Sequence, residues 1–375
     1  MALVRNTQKE FVEQLLEHAD IKIGGDRPWD ITVHDERFYN RVLRDGSLGA
    51  GESYMEGWWD SAALDETVSR VIRANIENKV RPSLSLVYNM IRAYVFNTQD
   101  RKRCKSVIDL HYELGNDLYQ NMLDPTMAYS CGYWKNATTL YEAQIAKFDL
   151  IAKKLGITKG MRVLDIGCGW GGFAKHLAEN YGAHVVGITL SKKQAEYAAM
   201  ITKGLPVEIR IKDYRDMDEM FDRIVSIGMF EHVGVKNYRF FMQTVHRCLE
   251  NGGLSMLHTI GVNKTSLVTD VWISKYIFPE AVLPSISMIG KSIEDFFVME
   301  DWHNLNVDYE KTLLAWYRNF DANWPKLKAN YPDPFYRMWK YYLHACAGMF
   351  RARQVQLWQI VLSKRGILNG YQSIR

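Results

Sequence analysis

The sequence predicts an α/β protein: a doubly wound, mostly parallel sheet, preceded by a smaller N-terminal α+β domain. Three observations carry this reading. The chain has 375 residues, more than one domain usually holds. Beyond residue 160, short apolar runs alternate with stretches of helical periodicity, the signature of strands linked by crossover helices. One such run, Val163-Leu164-Asp165-Ile166, passes into the glycine loop Gly167-Cys168-Gly169-Trp170-Gly171-Gly172 and then into a helical pattern. That order of strand, glycine turn and helix start is how α/β proteins make a nucleotide pocket. Glycines let a ligand approach the backbone, and the helix start offers unpaired N–H groups.

Residues 1–96 read as the smaller domain. Phe11, Val12, Leu15 and Leu16 recur at helical spacing across Thr7 to Ala19. Ile21–Ile23 and Ile31–Val33 read as short strands about the turn Gly24-Gly25-Asp26-Arg27-Pro28, and Phe38 to Leu43 as a further helix. Gly46 to Asp60, with four glycines and the pair Trp58-Trp59, predicts a structured loop with a large apolar anchor. Tryptophan pairs either pack small domains or sit at membrane interfaces. Leu64 to Asn78 and Ser85 to Phe96 complete the domain as helices.

Residues 97–106 form a polar, basic linker, with Arg101-Lys102-Arg103-Cys104-Lys105 at its core. Residues 107–375 then form the larger domain. Its predicted strands are Arg162–Ile166, His184–Thr189, Glu208–Ile211, Arg223–Ile227 and Leu254–Thr259. Helical patterns at Phe173–Tyr181, Lys192–Lys203 and Tyr238–Leu249 lie between them. An irregular apolar insert is expected from Ser266 to Asp295, and two long helices at Thr312–Tyr331 and Phe335–Leu362.

Bulk properties exclude several classes. No run of about 18 apolar residues occurs, so no membrane span is predicted. The N-terminus lacks the apolar core of a signal peptide, so a cytoplasmic protein is expected. Five cysteines, odd in number and without a C-x-x-C pair, fit neither a disulfide framework nor a zinc site. No metal is expected, since Glu231-His232 lacks further ligands at metal-binding spacing. A G-x-S-x-G nucleophile elbow is also missing. Residues 1–100 carry 12 Lys and Arg against 16 Asp and Glu, whereas the remainder is net +8. The basic cluster suits phosphate, whether of lipid or nucleic acid, or is simply a solvated linker.

The glycine loop satisfies G-x-G-x-x-G at Gly167, Gly169 and Gly172, the dinucleotide fingerprint. The acid that should follow about 20 residues later is missing, because that region reads Gly187-Ile188-Thr189-Leu190-Ser191. Candidate reactive residues cluster at predicted strand ends: Glu231 and His232 after one strand and His258 late in the next. Tyr309 stands at a helix start, and Cys131 in the aromatic turn Tyr129–Trp134. Taken singly, each is more often a core histidine, a cap or a packing residue than a catalytic group.

Asp165 before the loop gives D-x-G-x-G-x-G, which resembles motif I of class I S-adenosylmethionine-dependent methyltransferases, a Rossmann-like fold. Over nearly its whole length the chain resembles the bacterial cyclopropane-fatty-acyl-phospholipid synthases. The stretches are Gly46–Trp59, His111–Asp117, Tyr129–Trp134, Val163–Gly172, Gly228–Gly234, Leu257–Gly261, Lys275–Pro279 and Asp301–His303. The catalytic half is similar to the mycolic-acid cyclopropane synthases, and the N-terminal domain points to the phospholipid-acting branch.

The resemblance implies transfer of a methylene group from S-adenosylmethionine to the cis double bond of unsaturated acyl chains in membrane phospholipids. The carbocation formed on the way is deprotonated by a bound bicarbonate. Residues matching the bicarbonate site are Cys131, Glu231, His258, Ile260 and Tyr309, with Cys131 and Ile260 offering backbone N–H groups. Those matching the S-adenosylmethionine site are Tyr129, Ser130, Asp165, Gly167, Gly169, Thr189, Leu190, Gln194, Asp213 and Tyr214. Tyr214 stands where the mycolic-acid branch has Trp. The alternative is a related fatty-acyl C-methyltransferase giving a methyl-branched product. The implied partners are bilayer phospholipids and a second copy of the chain, with no nucleic acid, and the implied place is the inner face of the cytoplasmic membrane.

Overall fold

The computed structural model describes residues 2–76, 115–279 and 281–375. All of the linker expected at residues 97–106, the helix expected at Ser85–Phe96 and the first part of His111–Asp117 lie outside the described residues.

Two compact units are formed, and neither is a continuous segment. The first holds residues 1–96 together with 267–279 and 313–355. The larger domain read from the sequence therefore lends two of its segments to the N-terminal unit. Packing explains this. Helix α1 (Ala2–Glu17), strand β1 (Ile31–Val33), helix α2 (Arg37–Met55), strand β2 (Trp59–Ser61) and helix α3 (Leu64–Arg73) supply one apolar side. Residues 334–351 of the late helix supply the other. Gly348 packs so closely that a Cβ there would lie 2.6 Å from Asp65 O. Arg351 pairs with Asp65 and Glu66, and Arg337 Nε donates to Tyr54 O at 2.6 Å.

The glycine-rich stretch expected as a loop is instead mostly helix. Helix α2 runs through Gly49 and Gly51 to Met55, with a kink at Gly46 (φ +57°). Gly51 is required by contact, since a Cβ would meet the Trp272 ring at 2.3 Å. Of the tryptophan pair, Trp59 is core: its Nε1 donates to Ala50 O at 3.0 Å. Trp58 is half-buried, with the Arg37 and Arg41 guanidinium groups over its ring.

The second unit carries a seven-stranded sheet. Its strands are β3 (Arg162–Ile166), β4 (His184–Thr189), β5 (Val207–Ile211), β6 (Phe221–Ile227), β7 (Leu249–Val262), β8 (Val298–Asn304) and β9 (Val355–Ser363). Their order is β5-β4-β3-β6-β7-β9-β8; the first five are parallel and β8 is antiparallel to β9. Helices α4 (Asn116–Met122), α5 (Leu140–Lys154), α6 (Gly172–Tyr181), α7 (Lys192–Ile201) and α8 (Tyr238–Cys248) belong to this unit. Core residues such as Phe148, Ile151, Val163, Phe173, Leu177, Val225 and Met256 fill the space between α5, α6 and the sheet. Strand order reverses between β3 and β6, so the crevice at their carboxyl ends is the place for a ligand.

Two expectations for the C-terminal half are corrected. The insert at 266–295 holds two short helices, α9 (Val271–Tyr276) and α10 (Ile286–Ile293), capped by Asp270 and Ser285 side chains. The helix expected at Phe335–Leu362 stops at Arg351, as α12 (Pro334–Arg351), and β9 follows. Arg353 turns the chain at φ +63°, and Val355–Leu362 is a nearly continuous buried run suited to an inner strand. Ahead of α12, helix α11 (Asn306–Leu327) begins earlier than expected.

Candidate functional site

The glycine loop leaves the end of β3 with Gly167, Gly169 and Gly171 all at positive φ. Gly167 has two reasons to be glycine: its φ is +83°, and a Cβ would lie 2.8 Å from Met229 Cγ. The neighbouring β6 ends at Gly228, also at positive φ (+64°), whose N–H donates to His258 O at 2.9 Å. The ends of β3, β6 and β7 thus bring Asp165, Gly167, Glu231, His258 and Ile260 to one edge of the sheet.

Tyr129–Trp134 crosses this edge. Gly132 N donates to Thr312 Oγ1 at 3.1 Å and Trp134 N to Asp308 Oδ2 at 3.2 Å, which sets Cys131 beside the helical turn that carries Tyr309. The Cys131 thiol is fully buried, donates to Gly132 O at 3.1 Å, and is held protonated by burial. It can serve a ligand through its backbone, but it is a poor nucleophile. Ser130 is clamped from α5. Lys147 Nζ donates to Ser130 Oγ at 2.8 Å, and Gln144 Nε2 donates to Ser130 O at 2.8 Å.

Glu231 is buried just after β6, and its Oε1 accepts the Ile260 N–H at 2.7 Å. The Ile260 N–H, expected as a free donor to a ligand, is therefore already engaged by Glu231. The second carboxylate oxygen, Oε2, is buried with no hydrogen-bond partner among the described residues. Burial raises the Glu231 carboxyl to about 7, against the lowering by the Ile260 N–H. His258 is fully buried, and burial together with the Lys147 and Lys154 charges holds it neutral. Gln359 Nε2 donates to His258 Nδ1 at 3.3 Å. The proton of the neutral ring then sits on Nε2, which is buried and unpartnered among the described residues. A buried acceptor and a buried donor, both unspent, call for a small polar ligand.

Around the glycine loop, Asp165 is fully buried and raised to about 7 by burial, opposed by the Lys147 charge. Thr189, at the end of β4, donates from Oγ1 to Gln194 Oε1 at 2.9 Å and accepts the Ser191 N–H. Gln194 is thereby held under the β4–α7 turn, with Leu190 half-buried in it. Tyr129 packs edge-on against Tyr119. Asp213 and Tyr214 follow β5 beside the end of β4, where Ile211 pairs with Thr189 and Lys212 N donates to Thr189 O at 3.2 Å. Asp213 caps the turn through Arg215 N, and the Tyr214 ring is buried against Phe241.

Comparison with known proteins decides between the nucleotide classes. The sequence profile of the family described as mycolic acid cyclopropane synthetase matches residues 99–360. The chain is 52% identical over 365 residues to the cyclopropane-fatty-acyl-phospholipid synthase of Escherichia coli (strain K12), covering 97% of this chain and 95% of that protein. It belongs to the cyclopropane synthase family. It is also 35% identical to cyclopropane mycolic acid synthase 1 of Mycobacterium tuberculosis (strain ATCC 25618 / H37Rv) over 276 residues, 68% of this chain and 96% of that protein. The crystal structure of mycolic acid cyclopropane synthase CmaA1 complexed with SAH and CTAB superimposes with a TM-score of 0.65 at 35% identity, over 69% of this chain and 98% of that one. Coclaurine N-methyltransferase, at 23% identity and a TM-score of 0.70, shares the fold. The chain is thus a family enzyme with the class I methyltransferase fold.

Three site residues of this cyclopropane synthase family member escape a sequence reading: Gln144, Lys147 and Gln359. All three are fully buried. A signal for Lys147 did exist. Leu140, Ala143, Lys147, Ile151 and Lys154 recur at helical spacing on one face of α5, so this lysine occupies a core position.

Proposed function

We propose that the chain transfers a methylene group from S-adenosylmethionine to the cis double bond of unsaturated acyl chains in membrane phospholipids, giving cyclopropane fatty acyl chains. The observation that carries this is the 52% identity to the E. coli synthase across 97% of the chain. The site chemistry agrees with it. An alkene is a weak nucleophile, so much of the catalysis is alignment of the sulfonium methyl with the double bond. The rigid loop Gly167–Gly169 and the clamped Ser130 supply that alignment on the donor side.

Methyl transfer leaves a carbocation, and closing the ring requires loss of one proton from the new methyl group. Glu231 Oε2 and His258 Nε2, both buried and unspent, suit a small oxyanion such as bicarbonate. Bicarbonate, when bound, supplies the base. Neutral His258 donates from Nε2, and Tyr309 stands on the neighbouring helix as a second hydroxyl donor. Glu231, raised to about 7, accepts a proton at its free oxygen near neutral pH. Burial of these groups keeps water from the cation.

No described helix is long and apolar enough to cross a membrane, which is compatible with peripheral action on the inner face of the cytoplasmic membrane. The implied homodimer is tested by light scattering. The test of activity is incubation with S-adenosylmethionine and liposomes of monounsaturated phospholipid. The expected product gains one CH2 unit and loses its vinyl protons in the NMR spectrum. A methyl-branched or alkene product would instead favour the C-methyltransferase reading, to which a 39% identical probable fatty acid methyltransferase of Pseudomonas putida also points.

A further inference from the structure

Lys147 is fully buried, and in the reaction described above it appears only through its clamp on Ser130. It closes a loop of three side chains. Its Nζ donates to Ser130 Oγ at 2.8 Å and to Gln144 Oε1 at 2.6 Å, while Gln144 Nε2 donates to Ser130 O at 2.8 Å. Both the backbone and the hydroxyl of Ser130 are thereby fixed from one face of α5.

The direction of these bonds matters. An ammonium has only donors, so it occupies a lone pair of Ser130 Oγ and leaves the hydroxyl proton free to point elsewhere. Accepting a charged donor also polarises the hydroxyl and makes it a stronger donor itself. Lys147 is within electrostatic reach of Asp124, Cys131, Asp165 and His258. A lone buried ammonium is costly, and burial does lower its pKa to about 8, with Asp124 acting against that. A fixed hydroxyl backed by a buried cation is a receptor for an anion, and the donor substrate carries one, the carboxylate of its amino-acid end.

We propose that Lys147 is a positioning residue for the amino-acid end of the methyl donor, acting by aiming the Ser130 hydroxyl at the donor's carboxylate and adding positive potential behind it. The inference rests on reading Ser130 as part of the S-adenosylmethionine site.

Two ligands test it by calorimetry: S-adenosylhomocysteine, which has the carboxylate, and 5′-methylthioadenosine, which lacks the amino-acid end. K147M is expected to weaken S-adenosylhomocysteine about 10- to 100-fold, the range for losing a charge-assisted hydrogen bond, and to leave methylthioadenosine within about twofold. In an S130A background, K147M should add little, because the lysine acts through the hydroxyl. Equal loss of both ligands, or no loss of S-adenosylhomocysteine, overturns the proposal. If K147M does not fold, S130A alone carries the comparison, and the same two outcomes overturn it. Failure of the unmodified protein to bind S-adenosylhomocysteine would instead refute the donor-site reading itself.

Discussion

Glu231 and Ile260 are joined by a 2.7 Å hydrogen bond from a backbone N–H to Oε1, and the other carboxylate oxygen is left buried and unspent. The bond explains why Glu231 is oriented at all in a fully buried position. The same bond engages the Ile260 N–H with the carboxylate. An amide at this position keeps the oriented acceptor but replaces the free oxygen with an N–H2 donor. E231Q should therefore retain S-adenosylhomocysteine binding within about twofold while turnover falls at least about 100-fold, a typical share for acid–base chemistry. Lipid product analysis beside calorimetry checks both halves, and unchanged turnover would remove Glu231 from the mechanism.

The same residue gives a stability signature. Burial raises its folded pKa from 4.5 to about 7, so the folded state holds a proton that the unfolded chain has released. Its favourable contribution is full below about 4.5 and is lost as pH rises through about 7. E231Q cannot ionise. Its denaturation midpoint relative to the unmodified protein should rise across that window and level off above it, by up to about 3 kcal/mol. Asp165, also near 7, is common to both proteins and cancels. A pH-independent difference would show that Glu231 does not titrate there.

Gln359 controls which nitrogen of His258 carries the proton. Its amide N–H donates to Nδ1, which commits Nε2 to being the donor. Q359L removes that choice at small cost in volume. The expected result is a mixed His258 tautomer in the 15N spectrum and a turnover loss of about tenfold or more, with donor binding kept. A spectrum unchanged from the unmodified protein would mean that the ring is set by something else.

How much could be read from the sequence varied with the physics of each element. β3, β4 and β6 are apolar runs that meet glycine turns, and their bounds were legible to within two residues. β8 was missed because Glu300, Asp301, His303 and Asn304 break any apolar period, as suits an edge strand. β9 was read as helix because an apolar run follows α12 with no glycine or proline between; the turn uses Arg353 at positive φ instead. The second half of helix α2 was read as a loop because of its glycines, of which Gly51 serves contact with Trp272 and Gly49 a close approach to Arg41 O. Within the site, the loop glycines were legible from spacing, whereas Glu231, His258 and Tyr309 became specific only through resemblance. Gln359 gave no signal because its partner His258 is 101 residues away, and Lys147 because, of its two partners, only Gln144 is near in sequence while Ser130 is 17 residues away.

Gly167 is constrained twice over. Its φ of +83° disfavours a side chain, and the space a Cβ would take belongs to Met229. G167A should cost about 1 to 3 kcal/mol of stability from backbone strain and displace the Gly228–Glu231 turn. Loss of S-adenosylhomocysteine binding should accompany it, because the loop that meets the ligand shifts. G169A is the control: its φ is also positive, but nothing lies within 4 Å of the added Cβ. It should therefore be the milder substitution in denaturant titrations, and a reversed order would refute the contact argument.

The tryptophan pair separates membrane anchoring from core packing. Trp59 is buried, with its indole N–H bonded to Ala50 O and Ser53 Oγ, and Trp272 is buried as well. These two rings are unavailable to a bilayer, although the pair in sequence suits an interface. W59A should lose about 3 to 5 kcal/mol through its cavity, together with the hydrogen bonds. Trp58 is half-buried between Arg37 and Arg41, and W58A should cost no more than about 1 kcal/mol. If lipid contact involves an indole of this pair, it is that of Trp58. Quenching of tryptophan emission by brominated phospholipid should then fall in W58A, and quenching unaffected by that change would exclude Trp58 from lipid contact.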